Sequence, residues 1–189
     1  MNNLPNTLRI VSSLALVAAI PFLSGCDSEE PDPSAGETEF ITQVRLTLTP
    51  MSGGSAVVVQ ADDPDGDGAN LTIDAIQLTA GETYTGTIVL YDGVNDEDIT
   101  AEVQAEAEEH QFWYQAEGGI ADRITVTITD QDANNLPIGL AFTLAVSDGG
   151  AATGTFNVAL SHYDASPKDG TGRSDETDVD IDFPVSIVP

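Results

Sequence analysis

The chain has 189 residues, of which 32 are acidic and five basic, for a formal net charge of −27. Its single cysteine excludes a disulfide framework within the chain, and a polyanion without a basic patch excludes recognition of a phosphate backbone, so no nucleic-acid partner is expected. Only one apolar run approaches spanning length, at the N-terminus, which excludes a multi-pass membrane protein.

Residues 1–9 are polar with one basic side chain, Arg9, and residues 10–22 are apolar. Leu23-Ser24-Gly25-Cys26 follows. A short charged region, an apolar stretch and small residues at a cut site make a secretory signal over 1–25. The last four residues resemble the bacterial lipobox. That resemblance implies cleavage before Cys26, lipid on its thiol and a palmitate-type acyl chain on the new amino terminus, so membrane lipid is the expected partner. One chain alone holds marginally, at about 0.8 kcal/mol per buried methylene, whereas several together anchor lastingly.

Residues 26–38 carry acids and prolines without apolar periodicity and read as a disordered acidic tether. The acids directly after Cys26 resemble the surface-export signal of Bacteroidetes lipoproteins. In enterobacteria, an Asp at that place implies retention at the inner membrane instead. The expected location is the outer membrane, on the cell surface, with the periplasmic face of a membrane as the alternative.

All the acids lie after the cut site, and lysine occurs once, at Lys168. Such a surface repels itself at low salt. The Debye length falls from about 8 Å at physiological ionic strength to about 3 Å at 1 M, so salt relieves the repulsion. The composition fits a plain acidic surface protein or, given the near absence of lysine, a halophilic one, and the second is the expectation taken.

Residues 39–189 read as one domain. Val44, Leu46 and Leu48 alternate with Arg45, Thr47 and Thr49, and 56–59 is a short apolar run. Residues 71–78 form a weaker segment with Ile73, Ile76 and Leu78. Ile88 and Leu90 alternate with Thr87 and Val89. Ile124, Val126 and Ile128 alternate with threonines. Sets follow at Leu140, Phe142, Leu144 and Val146, then at Phe156, Val158 and Leu160. Val179, Ile181, Phe183, Val185 and Ile187 close the chain, facing away from Asp178, Asp180 and Asp182. Period-two alternation means one face buried and one wet. Turn signals such as Asp92-Gly93 and Asp148-Gly149-Gly150 separate the runs. The predicted fold is all-β, an immunoglobulin-like antiparallel β-sandwich. Pro184 inside the last run predicts an edge strand or a bulge. One short connecting helix is predicted within 98–110, rich in Ala and Glu, with Asp96 or Asp98 as its cap.

Four stretches then carry a resemblance: Glu108-Glu109-His110-Gln111-Phe112-Trp113-Tyr114, the run 130–140, the run 154–162, and Glu176-Thr177-Asp178-Val179-Asp180-Ile181-Asp182-Phe183-Pro184-Val185. Together with Leu46-Thr47-Leu48-Thr49-Pro50, they resemble a family of uncharacterised Bacteroidetes surface lipoproteins. Members often bear the label of a type 1 periplasmic binding fold. That fold needs two lobes of alternating strands and helices, whereas the signals here are strands with one short helix. The resemblance implies location and architecture, and brings no activity.

Candidate sites are few. Asp63, Asp65 and Asp67 stand at alternate positions before Gly68, and Asp74 is twelfth from Asp63. Calcium loops use such spacing because a hard cation needs several oxygen ligands. The flanks are strand-like, so a helical calcium hand is not expected, and the choice lies between a loop-only calcium site and an acidic turn. Asp130, Asp132 and Asn134 are a poorer version that also suits a tight turn. His110 and His162 are the only histidines. Alternation puts both on inward parity near strand ends, where with Glu108 or Asp164 they are candidate ligands for a transition metal or another ligand, or simply hydrogen-bonded boundary residues. The aromatic run with Tyr84, Tyr91 and Tyr163 is either core or a platform for sugar rings.

No Gly-x-Ser-x-Gly, His-Glu-x-x-His or phosphate-cradling loop occurs. The reading is a non-enzymatic, lipid-anchored envelope lipoprotein that binds an unidentified ligand, with calcium as the candidate ion. A structural or adhesive outer-membrane component is the alternative, and a carbohydrate-active enzyme with paired carboxylates the second.

Overall fold

The structure is a computed structural model that describes residues 40–66, 68–164 and 166–189. The signal peptide, Cys26, the tether and Asp67 lie outside the described residues.

Alternation builds the strands. In β1 (Gln43–Pro50), Val44, Leu46 and Leu48 are buried while Arg45 and Thr49 are exposed. The same pattern runs through β2 (Val57–Asp62) and β5 (Thr83–Tyr91). The remaining strands are β3 (Thr72–Ile73), β4 (Ile76–Thr79), β6 (His110–Gly118), β7 (Ile124–Ile128), β8 (Ala141–Val146), β9 (Ala152–His162) and β10 (Glu176–Val188).

They make two sheets. One has six strands in the order β3-β2-β1-β5-β8-β7, the other four in the order β4-β10-β9-β6. Phe142 from the first sheet and Phe112, Phe156 and Phe183 from the second are fully buried and fill the core. This is the expected all-β sandwich.

Two local expectations are corrected, and a third is decided between its alternatives. The segment 71–78 is not one strand. After β3 the Asp74 side chain accepts the Gln60 amide at 3.1 Å, and the chain then leaves for the other sheet. There β4 pairs with β10 in parallel, from Ile76 against Val185 to Thr79 against Val188, so the sandwich is not purely antiparallel. Of the two alternatives for the last run, β10 is not at an edge, since it lies between β9 and β4, but it does carry a bulge, between Thr177 and Val179. Pro184 pairs with Thr155 of β9, while the β4 ladder starts only at Val185. The proline stands just short of the second flank, where its missing N–H costs least.

One helix, α1 (Ile99–Ala105), connects β5 to β6. Asp98 caps it by accepting the Thr100 amide at 3.1 Å. The Thr100 hydroxyl donates to the Leu90 carbonyl at 3.1 Å and accepts the Leu90 amide at 2.8 Å, fastening the helix to the end of β5. Ile99 and Val103 turn into the core. The helix is shorter than the 98–110 segment, whose last residues form the turn into β6.

Candidate functional site

Strands β6 and β9 run antiparallel, and their register sets His110 directly opposite His162. Both keep the inward parity of Phe112 and Leu160. The two imidazoles stack, with centroids 4.4 Å apart and planes 18° apart. The only histidines of the chain, 52 positions apart, thus meet at one end of the inter-sheet core.

A third group comes from β10. Its register against β9 slips between Thr177 and Val179, a β-bulge in which Asp178 is the extra residue. Bulges re-aim side chains. Simple alternation puts Asp178 on the wet face with Asp180 and Asp182. Instead its side chain is only 2 % exposed, and its Oδ2 lies 3.8 Å from His110 Nε2. The other ring nitrogen, Nδ1, is 3.1 Å from the Glu106 carbonyl. A carbonyl only accepts, so Nδ1 carries the proton and donates it there.

His162 faces outward from the same stack. Its Nε2 is 2.9 Å from Asp164 Oδ1 and 4.0 Å from Glu109 Oε2. The ring is buried, while Glu109 is 56 % exposed. The Tyr163 amide donates to the Glu109 carbonyl at 2.8 Å, which holds both carboxylates beside the ring. Next to them opens a cavity of about 340 Å³, lined among others by Asn134, Tyr163 and Ser166. Burial raises the Tyr163 phenol above its usual range, and its hydroxyl donates to the Gly172 carbonyl at 2.6 Å. Among the described residues, two groups of three metal-type ligands converge: His110, His162 and Asp178, and Glu109, His162 and Asp164. Sequence periodicity found the histidines. It missed Asp178, which only the bulge turns inward, and Glu109, which looked like one acid among many.

Behind the stack sits Lys168. Its Nζ donates to the carbonyls of Ala107 at 2.6 Å and His110 at 2.9 Å and pairs with Asp132 Oδ2 at 2.8 Å. The ammonium ties the loop before β10 to the end of the helix turn, the start of β6 and the turn 130–138. Asp132 Oδ1 accepts the Asn134 and Leu136 amides, both at 2.8 Å. Burial alone would push the Asp132 carboxyl up. Lys168 and these amides outweigh it and hold the group below its usual range. Asp130 accepts the Gly139 amide at 2.8 Å and the Ala141 amide at 3.1 Å. Asp130 and Asp132 thus spend their oxygens on the chain itself, and Asn134 reaches the cavity wall.

In the first acidic loop, Asp63 Oδ2 accepts the Gly68 amide at 2.8 Å and Asp65 Oδ2 the Asn70 side-chain amide at 3.0 Å. Asp74 is engaged with β2. Among the described residues, Asp63, Asp65 and Asp74 do not converge as a group. The aromatic residues are mostly core. Tyr84 and Phe112 are buried, and Tyr114 donates to the Gly139 carbonyl at 2.5 Å. Burial first, and Asp130 second, push the Tyr114 phenol well above its usual range.

No family model and no curated protein matches the chain. Among solved structures it is similar to domains 4 and 5 of the S-layer protein SbsC, with a TM-score of 0.32 and 10 % identity, over 76 % of this chain and 77 % of that one. No helix among the described residues is long and apolar enough to cross a membrane.

Proposed function

We propose that the chain is a lipid-anchored cell-envelope module that binds a ligand without turning it over, at the end of the sandwich where β6 begins and β9 ends. One observation carries this reading. A buried histidine at the end of β9 and two carboxylates just outside the strands, Glu109 before β6 and Asp164 after β9, meet at the mouth of an open polar cavity. Polar groups brought together on rigid elements are what a binding site requires. The lipobox-like Leu23-Ser24-Gly25-Cys26 supports the anchor, and the acids after it support an outer-membrane location at the cell surface.

A structural or adhesive role is the second reading, and one feature favours it. The outer face of the six-stranded sheet presents Thr47, Thr49, Thr85, Thr87, Thr125 and Thr127, with Arg45 and Asp62 the charged strand residues on it. On so acidic a chain, a nearly neutral face is where another acidic surface approaches at least cost.

One measurement tests the anchor and a second separates these readings. Cys26→Ser is expected to move the protein from the detergent phase to the aqueous phase, and unchanged partitioning removes the anchor. A thermal-shift panel of divalent ions and neutral glycans is expected to contain a stabilising ligand whose effect Glu109→Gln and Asp164→Asn both weaken. A protein that responds to nothing, yet forms a defined oligomer broken by Thr85→Glu, is structural.

A further inference from the structure

We infer that Glu109, His162 and Asp164 form a binding site for a divalent transition metal of the zinc type. The inference rests on the ligand-binding reading of that end of the sandwich and names the ligand.

The distances fit. Zinc bonds to imidazole nitrogen and carboxylate oxygen are about 2.0–2.2 Å, which places neighbouring ligand atoms about 2.9 Å apart at a right angle and about 3.4 Å apart in a tetrahedron. The two separations from His162 Nε2, 2.9 Å to Asp164 and 4.0 Å to Glu109, bracket that range. All three ligand atoms lie within 4.8 Å of one another. Closing onto an ion needs only a swing of the Glu109 side chain, which is more than half exposed.

The donor set selects the metal class. Magnesium and calcium take oxygen ligands, whereas an imidazole nitrogen favours zinc, copper, nickel or iron. Three protein ligands at the edge of a cavity leave room for water or a further ligand, the form of an open metal site. The site is not a chance acidic cluster, because its central donor is buried. The His162 side chain is 5 % exposed, stacked on a His110 ring that is itself 0 % exposed. His110 in turn is held by the Glu106 carbonyl on one side and faces Asp178 on the other. Through the stack, this arrangement limits how the outer imidazole can turn.

The inner trio of His110, His162 and Asp178 fits less well. A metal–nitrogen bond lies in the plane of its imidazole. Two rings 18° from parallel cannot both point at one ion unless the stack opens. The outer trio needs no such opening, so His110 and Asp178 are positioning residues here.

The test uses the full-length protein in detergent with zinc chloride as the probe. One molar sodium chloride and excess magnesium occupy the general acidic surface. With only two histidines, the imidazole nitrogen spectrum is simple to read. The expected result is one equivalent of zinc, with the His162 Nε2 resonance shifted and His110 still protonated at Nδ1. Asp164→Asn and Glu109→Gln, both at partly exposed positions, are expected to weaken zinc by at least 100-fold while the melting temperature without metal stays the same. Asp178→Asn, which reaches His162 only through the His110 ring, is expected to weaken zinc less than either carboxylate change. Zinc that binds no tighter than magnesium overturns the site, as does binding that survives both carboxylate changes. A shift at His110 Nε2 together with His162 moves the ion to the inner trio and overturns this assignment. A different ligand stabilising the same cavity without zinc leaves the binding-module reading standing and removes the metal.

Discussion

The only lysine of the chain shows none of its charge to solvent. Lys168 is 1 % exposed at its side chain and meets an Asp132 side chain that is 0 % exposed. Removing one partner of such a pair strands a charge in low dielectric and costs about 3–5 kcal/mol. Lys168→Met is therefore expected to lower the unfolding free energy in urea by about that much. Adding Asp132→Asn, which keeps the acceptor for the Asn134 and Leu136 amides but loses the charge, is expected to recover most of it. A double variant no better than the single one excludes the charge as the cause. The same pair sets an acid limit. The Asp132 carboxyl is held below its usual range, so its stabilisation is complete above the unfolded value of about 3.9 and is lost as pH falls through the lower, folded value. Stability of the natural protein is expected to drop on acidification below about pH 4, and the double variant to lose less there.

At the scale of elements, close packing of the two sheets depends on positions where no side chain fits. Gly86 of β5 pairs with Leu48 on one side and Phe142 on the other. A Cβ there would sit 2.3 Å from the Phe142 ring, which is itself buried. Gly86→Ala is expected to cost about 1–3 kcal/mol, as overpacking does. Gly150, with nothing within 4 Å of its would-be Cβ, is the control, and Gly150→Ala is expected to stay within about 0.5 kcal/mol. Denaturant midpoints of the two variants decide. Elements of this kind were readable wherever alternation is regular. Val44, Leu46 and Leu48 announced β1, and the choice of Asp96 or Asp98 as a cap announced α1, with Asp98 the one used. Alternation failed where the chain departs from period two. The break at Asp74 that sends β3 and β4 to different sheets is a tertiary event without a glycine or proline to mark it. The extra residue at Asp178 is invisible to a pattern that counts every position alike. Parity placed the two histidines inward, yet only pairing between β6 and β9, a long-range choice, made them neighbours.

For the molecule as a whole, charge is the dominant condition. A net charge of −27 on 189 residues favours any state that spreads the charges apart, and the unfolded chain does so best. Screening at 1 M salt shrinks the Debye length to about 3 Å, so the melting temperature is expected to rise steadily from dilute buffer to molar sodium chloride. A flat or falling midpoint across that range sinks the halophilic reading. Equal concentrations of sucrose, which is excluded from surfaces without screening charge, separate the two causes.

The place of β10 has a consequence for how the protein is made. It is the last strand of the sandwich in chain order, yet it stands in the middle of its sheet, flanked by β9 and β4. Until residues 176–188 emerge, β4 has no partner in that sheet, β9 has one bare flank and Asp178 is not yet beside the histidines. Before that, the four-stranded sheet is incomplete, and the early segments lack it as a face to close on. Were the chain exported, as proposed, such a delay would suit a translocation channel, which passes threads and not finished domains. With β10 in place, the second sheet is complete and Asp178 stands beside the histidines.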